Sequence, residues 1–228
     1  MTPTLVLLPS PLLGPALWGP VAQELAGRGQ PVAIVPPAAG ARAPSDVLDA
    51  WLAALPTDDD LVLVPHSNAG AYVPELVSRL SVVGAVFVDA VLPPPHGELR
   101  LAPPALLPHL RELAGADGLL PVWTQWWDEA EVAGLFPDAA TRDRVEQEQQ
   151  RLPLTYFEQV LDVPAGWDAL PACYLAFGDT YAGERADAAG RGWSTRTLAG
   201  HHLHPLTEPA QVAGAVLDLL RDDPAAEA

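Results

Sequence analysis

Short apolar runs alternate with amphipathic segments along most of the chain, and this alternation predicts its secondary structure. The apolar runs are continuous, which is typical of strands buried on both faces of a parallel sheet. Strands are predicted at residues 4–8, 32–35, 61–64, 83–88, 172–177 and 194–198, and helices at 17–27, 45–55, 69–80 and 209–221. The chain is therefore predicted to be a single α/β domain over residues 1–228, with a mainly parallel sheet of six strands and helices on both of its faces.

The alternation stops between residues 88 and 171. This stretch begins with proline-rich segments at 93–95 and 103–104 and has no evident strand. It then shows helical patterns at 106–113, 122–134 and 140–152. Helices inserted after the fourth strand would lie over the carboxyl ends of the strands, where open α/β sheets bind their ligands. The sequence therefore predicts a helical lid at about residues 93–168.

Composition and charge limit the classes of partner. The chain has 228 residues, of which 49% are hydrophobic, enough for one sizeable core. It has 12 basic residues, all of them arginine, and 29 acidic ones, which gives a formal net charge of −17. The acidic residues are scattered, and no basic patch is available for nucleic acid or for an anionic membrane. We therefore expect a small-molecule substrate as partner, no nucleic acid or membrane, and a monomer or homodimer.

Cysteine usage and the first residues favour a cytoplasmic protein. The single cysteine, Cys173, lies in an apolar run and has no second cysteine with which to form a disulfide. The amino terminus lacks a basic region, and no apolar run reaches about 18 residues. We therefore expect neither a signal peptide nor a transmembrane helix. The last residues, 222–228, are predicted to be frayed.

The segment Pro65-His66-Ser67-Asn68-Ala69-Gly70 carries the strongest candidate chemistry. It follows a predicted strand and precedes a helical pattern, so Ser67 falls on a sharp strand-to-helix turn. Such a turn strains the backbone of the serine and requires small neighbours, as in a nucleophile elbow. A serine hydroxyl becomes a good nucleophile when a base takes its proton. This segment therefore predicts a serine-based enzyme.

The base is expected after the last strand, in the segment Gly200-His201-His202-Leu203-His204. The spacing of the three histidines does not match the usual helical pair of a metal site. One catalytic histidine with two bystanders is the preferred interpretation, and neither a metal nor a cofactor is predicted.

The chain resembles the α/β-hydrolase superfamily nearly from end to end. The resemblance rests on the elbow, on the Gly-His segment at residues 200–202 and on the chain order serine, acid, histidine. It implies an α/β-hydrolase fold with Ser67 as nucleophile and His202 as base. His201 is the alternative base, one register step away.

The resemblance also gives two candidates for the acid that orients the histidine. The family usually places this acid just after the penultimate strand, which implies Asp179 in Phe177-Gly178-Asp179-Thr180. Asp89, at the end of the fourth strand, is the alternative, because some relatives carry the acid there. Either residue has a plain structural interpretation, as a turn former or as the end of a strand.

Three positions depart from the family pattern. Pro65 and Ala69 stand where the elbow usually has glycine. The oxyanion hole should combine the N–H of Asn68 with an amide from the loop after the first strand, but the expected donor position is Pro11, which has no N–H. A shifted Leu12 amide or the Ser10 hydroxyl could replace it.

Two side chains near the expected site have open roles. The amide side chain of Asn68 either binds substrate or satisfies backbone groups in the elbow. Trp126 shares one predicted helical face of the lid with Trp123 and Trp127. These rings either pack the lid onto the core or form an aromatic wall for a bulky apolar substrate, with Trp126 as a candidate contact.

The resemblance implies a cofactor-free enzyme that hydrolyses an ester, thioester or lactone through a Ser-His-Asp triad. The departures at Pro11 and Asn68 favour, as the alternative, a non-hydrolytic member that catalyses a lyase, acyl-transfer or cyclisation step in secondary metabolism. A non-catalytic protein that binds a small molecule is the third hypothesis.

Overall fold

A parallel sheet of six strands forms the centre of the molecule. The computed structural model describes residues 2–56 and 59–222, so residues 223–228 of the segment predicted to be frayed lie outside it. The strands in this range are β1 (Thr4–Leu8), β2 (Val32–Ile34), β3 (Leu61–Ser67), β4 (Val82–Ala90), β5 (Gly97–Arg100), β6 (Val160–Val163), β7 (Ala172–Phe177) and β8 (Ser194–Leu198). The main sheet has the order β2-β1-β3-β4-β7-β8 with parallel pairing throughout. All six strands predicted for it are confirmed.

Helices cover both faces of this sheet, as predicted. The helices of the described residues are α1 (Gly19–Gly27), α2 (Pro44–Ala54), α3 (Val73–Val77), α4 (Leu107–Leu113), α5 (Glu129–Ala133), α6 (Ala139–Glu148), α7 (Leu154–Phe157), α8 (Ala182–Gly190), α9 (His204–Thr207) and α10 (Pro209–Asp222). Alternate strand side chains pack into two separate cores, one against α1 and α10 and one against α2 and α3. None of the helices in these ranges has the length and apolarity needed to cross a bilayer.

Two helical regions outside residues 91–171 depart from the sequence analysis, one in its form and one because it was not predicted. The predicted helix at 69–80 is a 3₁₀ turn at Asn68–Tyr72 followed by the short α3. Pro74 lies in the first turn of α3, where its missing N–H costs no hydrogen bond. The second region is α8, which the sequence did not signal because the helix buries only Ala188 and therefore lacks a wide apolar stripe.

Residues 91–171 form an insertion between β4 and β7. The strands β5 and β6 pair antiparallel within it, so the prediction of an insertion without strands is wrong. Each is four residues long and mostly exposed, too short for an alternating pattern to be recognised. The predicted helix at 122–134 divides into a 3₁₀ turn at Trp123–Gln125 and α5. The insertion lines a cavity at the carboxyl edge of the main sheet, and its role as a lid stays a prediction.

Candidate active site

Ser67 ends β3 in a strained backbone conformation. Its φ is 58° and its ψ is −129°, a combination that non-glycine residues rarely adopt. The turn is tightly packed: a Cβ added to Gly70 would lie 2.0 Å from the carbonyl oxygen of Val91. Strain of this kind persists only where the surrounding structure enforces it, and it presents the serine hydroxyl to the cavity. The predicted elbow geometry is therefore present, with Pro65 and Ala69 in place of the usual glycines.

Asp89 lies in a β-bulge beside Ser67. His66 pairs with Val88 and Ser67 with Ala90, so Asp89 is an extra residue without a partner on β3. Its φ is +43°, and Ser67 is the other non-glycine residue with positive φ among the described residues. The bulge turns the Asp89 side chain toward the loop that carries the histidines.

The Asp89 carboxylate holds His202. Its Oδ2 accepts a hydrogen bond from His202 Nδ1 at 2.7 Å, and its Oδ1 accepts one from the backbone N–H of Phe177 at 3.0 Å. Asp89 is fully buried and His202 lines the cavity. Because Nδ1–H of His202 points at the carboxylate, the Nε2 atom keeps its lone pair and is available as a base.

Asp179 is not the partner of His202, and the preference for it over Asp89 is wrong in geometry. Its side chain is 92% exposed and lies 3.7 Å from Arg185. Gly178, with φ of +67°, turns the chain here, so Asp179 is a turn residue at the rim of the cavity.

A second histidine lies beneath His202. The ring of His66 is buried, with its centroid 4.4 Å from that of His202, and its Nε2–H donates to the carbonyl oxygen of His202 at 2.9 Å. Burial, followed by the neighbouring His202, holds the pKa of His66 well below 6.5, so His66 stays neutral. His66 thus packs against His202 and holds the loop that carries it, a function that the sequence analysis did not assign.

His201, the alternative base, also lines the cavity, but no hydrogen bond or ion pair joins it to a carboxylate among the described residues. Its Nδ1 is buried without a hydrogen-bond partner, and burial lowers the pKa of its ring. Among the described residues no group of three or more His, Cys, Asp or Glu side chains could hold a metal ion.

Tyr181 contacts the oxygen of Ser67. The two hydroxyl oxygens are 3.3 Å apart, and no hydrogen bond joins Ser67 to His202 among the described residues. Hydrogen bonds of catalytic residues are often formed or shortened only when substrate binds. Sequence reasoning missed Tyr181, although it follows the Gly178–Thr180 turn already considered for the acid.

The candidate oxyanion donors are Leu12 and Asn68, which line the cavity, whereas Pro11 is buried away from it. Ser10 organises the loop: its Oγ accepts from the Leu12 N–H at 3.3 Å, and its carbonyl oxygen accepts from Leu13 and Gly14. To donate to an oxyanion, the Leu12 N–H would have to give up its hydrogen bond to Ser10 Oγ. At 3.3 Å this hydrogen bond is long and weak, so the exchange costs little.

The Asn68 side chain belongs to a buried hydrogen-bond network. Its Oδ1 accepts from the Tyr156 hydroxyl at 2.7 Å, and its Nδ2 donates to the carbonyl oxygen of Leu101 at 3.3 Å. The Tyr156 hydroxyl also lies 2.5 Å from that of Tyr72. The Asn68 side chain therefore bonds two residues of the insertion and no backbone group of the elbow among the described residues.

The cavity around Ser67 has a volume of about 580 Å³. The insertion supplies an aromatic wall of Trp123, Trp126, Trp127 and Phe157. These tryptophans do not share one helix face, since Trp123 begins a 3₁₀ turn, yet all three face the cavity. Trp126 is fixed by donating its Nε1–H to the carbonyl oxygen of Pro121 at 2.9 Å. The acidic residues of the lining are Glu131, Asp179 and Glu184, and no arginine is among its described residues.

Solved structures resemble the fold of this chain over all or nearly all of their length. An extracellular α/β-hydrolase from a Paenibacillus species, which shares structural and functional homology with tobacco salicylic acid binding protein 2, has a TM-score of 0.76 at 18% identity, covering 96% of this chain and 100% of that one. The chain has the α/β-hydrolase fold. A pyrethroid hydrolase has a TM-score of 0.66 at 20% identity, covering 100% of both chains. A tomato methylketone synthase variant, in complex with β-ketoheptanoate, has a TM-score of 0.61 at 11% identity, covering 97% of this chain and 98% of that one. No family model and no curated protein matches the chain.

In terms of the α/β-hydrolase fold, the unusual feature is the strand that supplies the carboxylate. The residue in contact with the histidine lies near the end of β4, whereas the commoner position, after β7, holds the exposed Asp179. The loop after β7 instead brings Tyr181 to Ser67.

Proposed function

We propose that the protein is a serine hydrolase in which Ser67 is the nucleophile, His202 the general base and Asp89 the residue that orients the base. The observation that carries this proposal is the 2.7 Å contact between Asp89 Oδ2 and His202 Nδ1, in the same cavity as the strained Ser67. A buried carboxylate fixes the tautomer of the imidazole and stabilises the cation that forms when it accepts a proton.

Acylation begins when Ser67 Oγ attacks the carbonyl carbon of the substrate. His202 Nε2 takes the hydroxyl proton, the bond to the leaving group breaks, and His202 returns the proton to the departing oxygen or sulfur. Water then attacks the acyl-enzyme by the same route, and Ser67 is released. The Asn68 N–H and the Leu12 N–H are the candidate donors to the oxyanion.

The cavity favours a small apolar acyl or alcohol group. Its aromatic wall suits a flat or bulky hydrocarbon, and about 580 Å³ is within the usual range for small-molecule sites. We propose that the insertion acts as the lid of this site, because it supplies that wall. An ester or lactone without charge fits this lining best.

Labelling with a fluorophosphonate probe tests the proposal directly. Ser67 Oγ should form a bond to phosphorus with loss of fluoride, which intact-protein mass spectrometry detects. Ser67→Ala should abolish both labelling and hydrolysis of short p-nitrophenyl esters, whereas Ser78→Ala, which removes a serine exposed on the surface, should retain both. A folded wild-type protein that neither reacts with the probe nor cleaves any ester would contradict it.

One observation supports a second candidate, a non-hydrolytic reaction such as a lyase step. Pro11 offers no N–H, and the Leu12 N–H already bonds to Ser10. Loss of one oxyanion donor costs about 10²–10³ in rate in acyl transfer, so a reaction with less charge on a carbonyl oxygen would suit this site. In that case His202 would move a proton of the substrate, and the protein would turn over its substrate without ever being labelled at Ser67.

A further inference from the structure

Tyr181 lies against the reactive oxygen but has no role in the proposed triad. Its hydroxyl is 3.3 Å from Ser67 Oγ, and its ring centroid is 5.6 Å from that of His202. We propose that Tyr181 is a further catalytic residue: its hydroxyl donates a hydrogen bond to Ser67 Oγ and stabilises the negative charge that develops on this oxygen when the acyl-enzyme breaks down. This inference rests on the proposed ester hydrolysis.

The direction of this hydrogen bond follows from counting protons. Asp89 accepts from Nδ1 of His202, so Nε2 is the acceptor that faces the cavity. The single proton of the Ser67 hydroxyl goes to Nε2 in the reaction. The contact between the two hydroxyls allows either oxygen to donate, but once the Ser67 proton is directed to Nε2 Ser67 has no second proton to give, so in the reacting state Tyr181 is the donor.

The environment of Tyr181 keeps its proton in place. Burial raises the pKa of its hydroxyl well above 10 and outweighs the contact with Ser67, which lowers this pKa; the carboxylates of Asp89 and Glu184 raise it by smaller amounts. The side chain therefore remains a neutral donor over the whole pH range in which a histidine acts as a base.

Charge on Ser67 Oγ makes the effect unequal in the two halves of the reaction. In deacylation a bond forms between water oxygen and the acyl carbon while His202 accepts a proton of the water. The bond from the acyl carbon to Oγ then breaks, its electron pair goes to Oγ, and His202 returns the proton to Oγ. A donor at Oγ stabilises this departing oxygen. In acylation a donor at Oγ stabilises the charge that appears as the proton leaves, but it also holds the electron pair that must attack the carbonyl carbon, so its net effect there is small. The proton of Tyr181 stays on Tyr181 throughout.

Tyr181→Phe removes the hydroxyl and keeps the ring, and its effect is measured on each half-reaction. With p-nitrophenyl butyrate, the decay of the acyl-enzyme followed by mass spectrometry should slow by about 10- to 100-fold, as expected for loss of a hydrogen bond to a charged group. Steady-state kcat and KM should fall together, with a burst of p-nitrophenol, while kcat/KM and the rate of fluorophosphonate labelling stay within about threefold of wild type.

Tyr72→Phe is the matched control, because it removes a buried hydroxyl that pairs with Tyr156 outside the cavity lining. Deacylation should change less than about threefold in this variant. A Tyr181→Phe protein with unchanged deacylation overturns the inference, and so does an equal slowing of labelling and deacylation, which would mark a purely structural role. If the wild type forms neither acyl-enzyme nor fluorophosphonate adduct, the proposed hydrolysis fails, and the role of Tyr181 fails with it.

Discussion

Asp89 combines a buried carboxylate with a backbone φ of +43°. Either property alone is unfavourable, since a buried charge needs partners and the left-handed region strains a residue with a side chain. His202 and the Phe177 N–H satisfy the two carboxylate oxygens. The hydroxyl of Tyr174 bonds both the N–H and the carbonyl oxygen of Ala90, which fixes the bulge from the other side. At the scale of single residues, the strain is thus concentrated where the base is oriented.

Replacement of either aspartate should separate the two candidate acids. Asp89→Asn offers an amide N–H to His202 and favours the wrong tautomer, so kcat for ester hydrolysis should fall by about 10²-fold or more. Asp179→Asn changes an exposed turn residue and should leave kcat within about twofold. Steady-state kinetics on folded variants, checked by circular dichroism, measures both. If kcat fell only in the Asp179→Asn variant, Asp179 in the loop after β7 would be the residue that orients His202.

The sequence predicted the main sheet well, but it missed β5, β6 and α8 and did not predict the conformation of two residues of the site. Apolar runs identified five of the six strands of the main sheet, the sixth being the mostly polar β8, and the strand-to-helix turn identified Ser67. The choice between Asp89 and Asp179 depended on a one-residue bulge in β4, which leaves no mark in the hydrophobic pattern because a bulge changes pairing and not polarity. Tyr181 was missed for a related reason, since the turn that aims it at Ser67 depends on the positive φ of Gly178.

At the scale of elements, His66 joins β3 to the loop that precedes α9. It is the residue before the nucleophile, yet its side chain points to the opposite side of the strand and contacts the carbonyl oxygen of His202. The loop carrying the base is therefore packed on, and hydrogen-bonded to, the strand carrying the nucleophile.

This link should make stability depend on pH. The pKa of His66 is lowered in the folded state, so below about pH 6.5 the unfolded chain binds a proton that the folded protein does not. The contribution of His66 is complete above that pH and is lost as pH falls, by up to about 1.4 kcal/mol per pH unit. Urea unfolding of His66→Gln between pH 5 and about 7.5 should show a shallower dependence than wild type. His96→Gln, an exposed histidine, is the control and should keep the wild-type slope.

At the scale of the whole molecule, the net charge of the protein and the lining of the cavity both disfavour an anionic substrate. The formal net charge is −17, and among the described residues neither Glu131 nor Glu184 has an ion-pair partner. Both line the cavity. A substrate with its own carboxylate or phosphate would therefore approach against the field of the protein and meet no arginine in the described lining of the cavity.

Substrate charge should consequently control turnover. Between esters of matched size, an anionic hemiglutarate should have a kcat/KM about tenfold or more below that of its neutral methyl ester, and added salt should narrow the gap. Glu131→Gln together with Glu184→Gln should raise the rate for the anionic ester and leave that for the neutral ester nearly unchanged. Equal rates for the two esters with the wild type would contradict this account.

The bulge in β4 has a consequence for how this protein can be altered. With the base oriented from β4, the loop after β7 no longer has to deliver a carboxylate, and in this chain it presents a phenol and a cavity rim instead. Residues 179 and 180, exposed at that rim, are therefore the natural place for a library of substitutions that leaves the length of the turn before Tyr181 unchanged. Diversity introduced there would change which substrates are admitted while the Asp89–His202 pair is inherited intact.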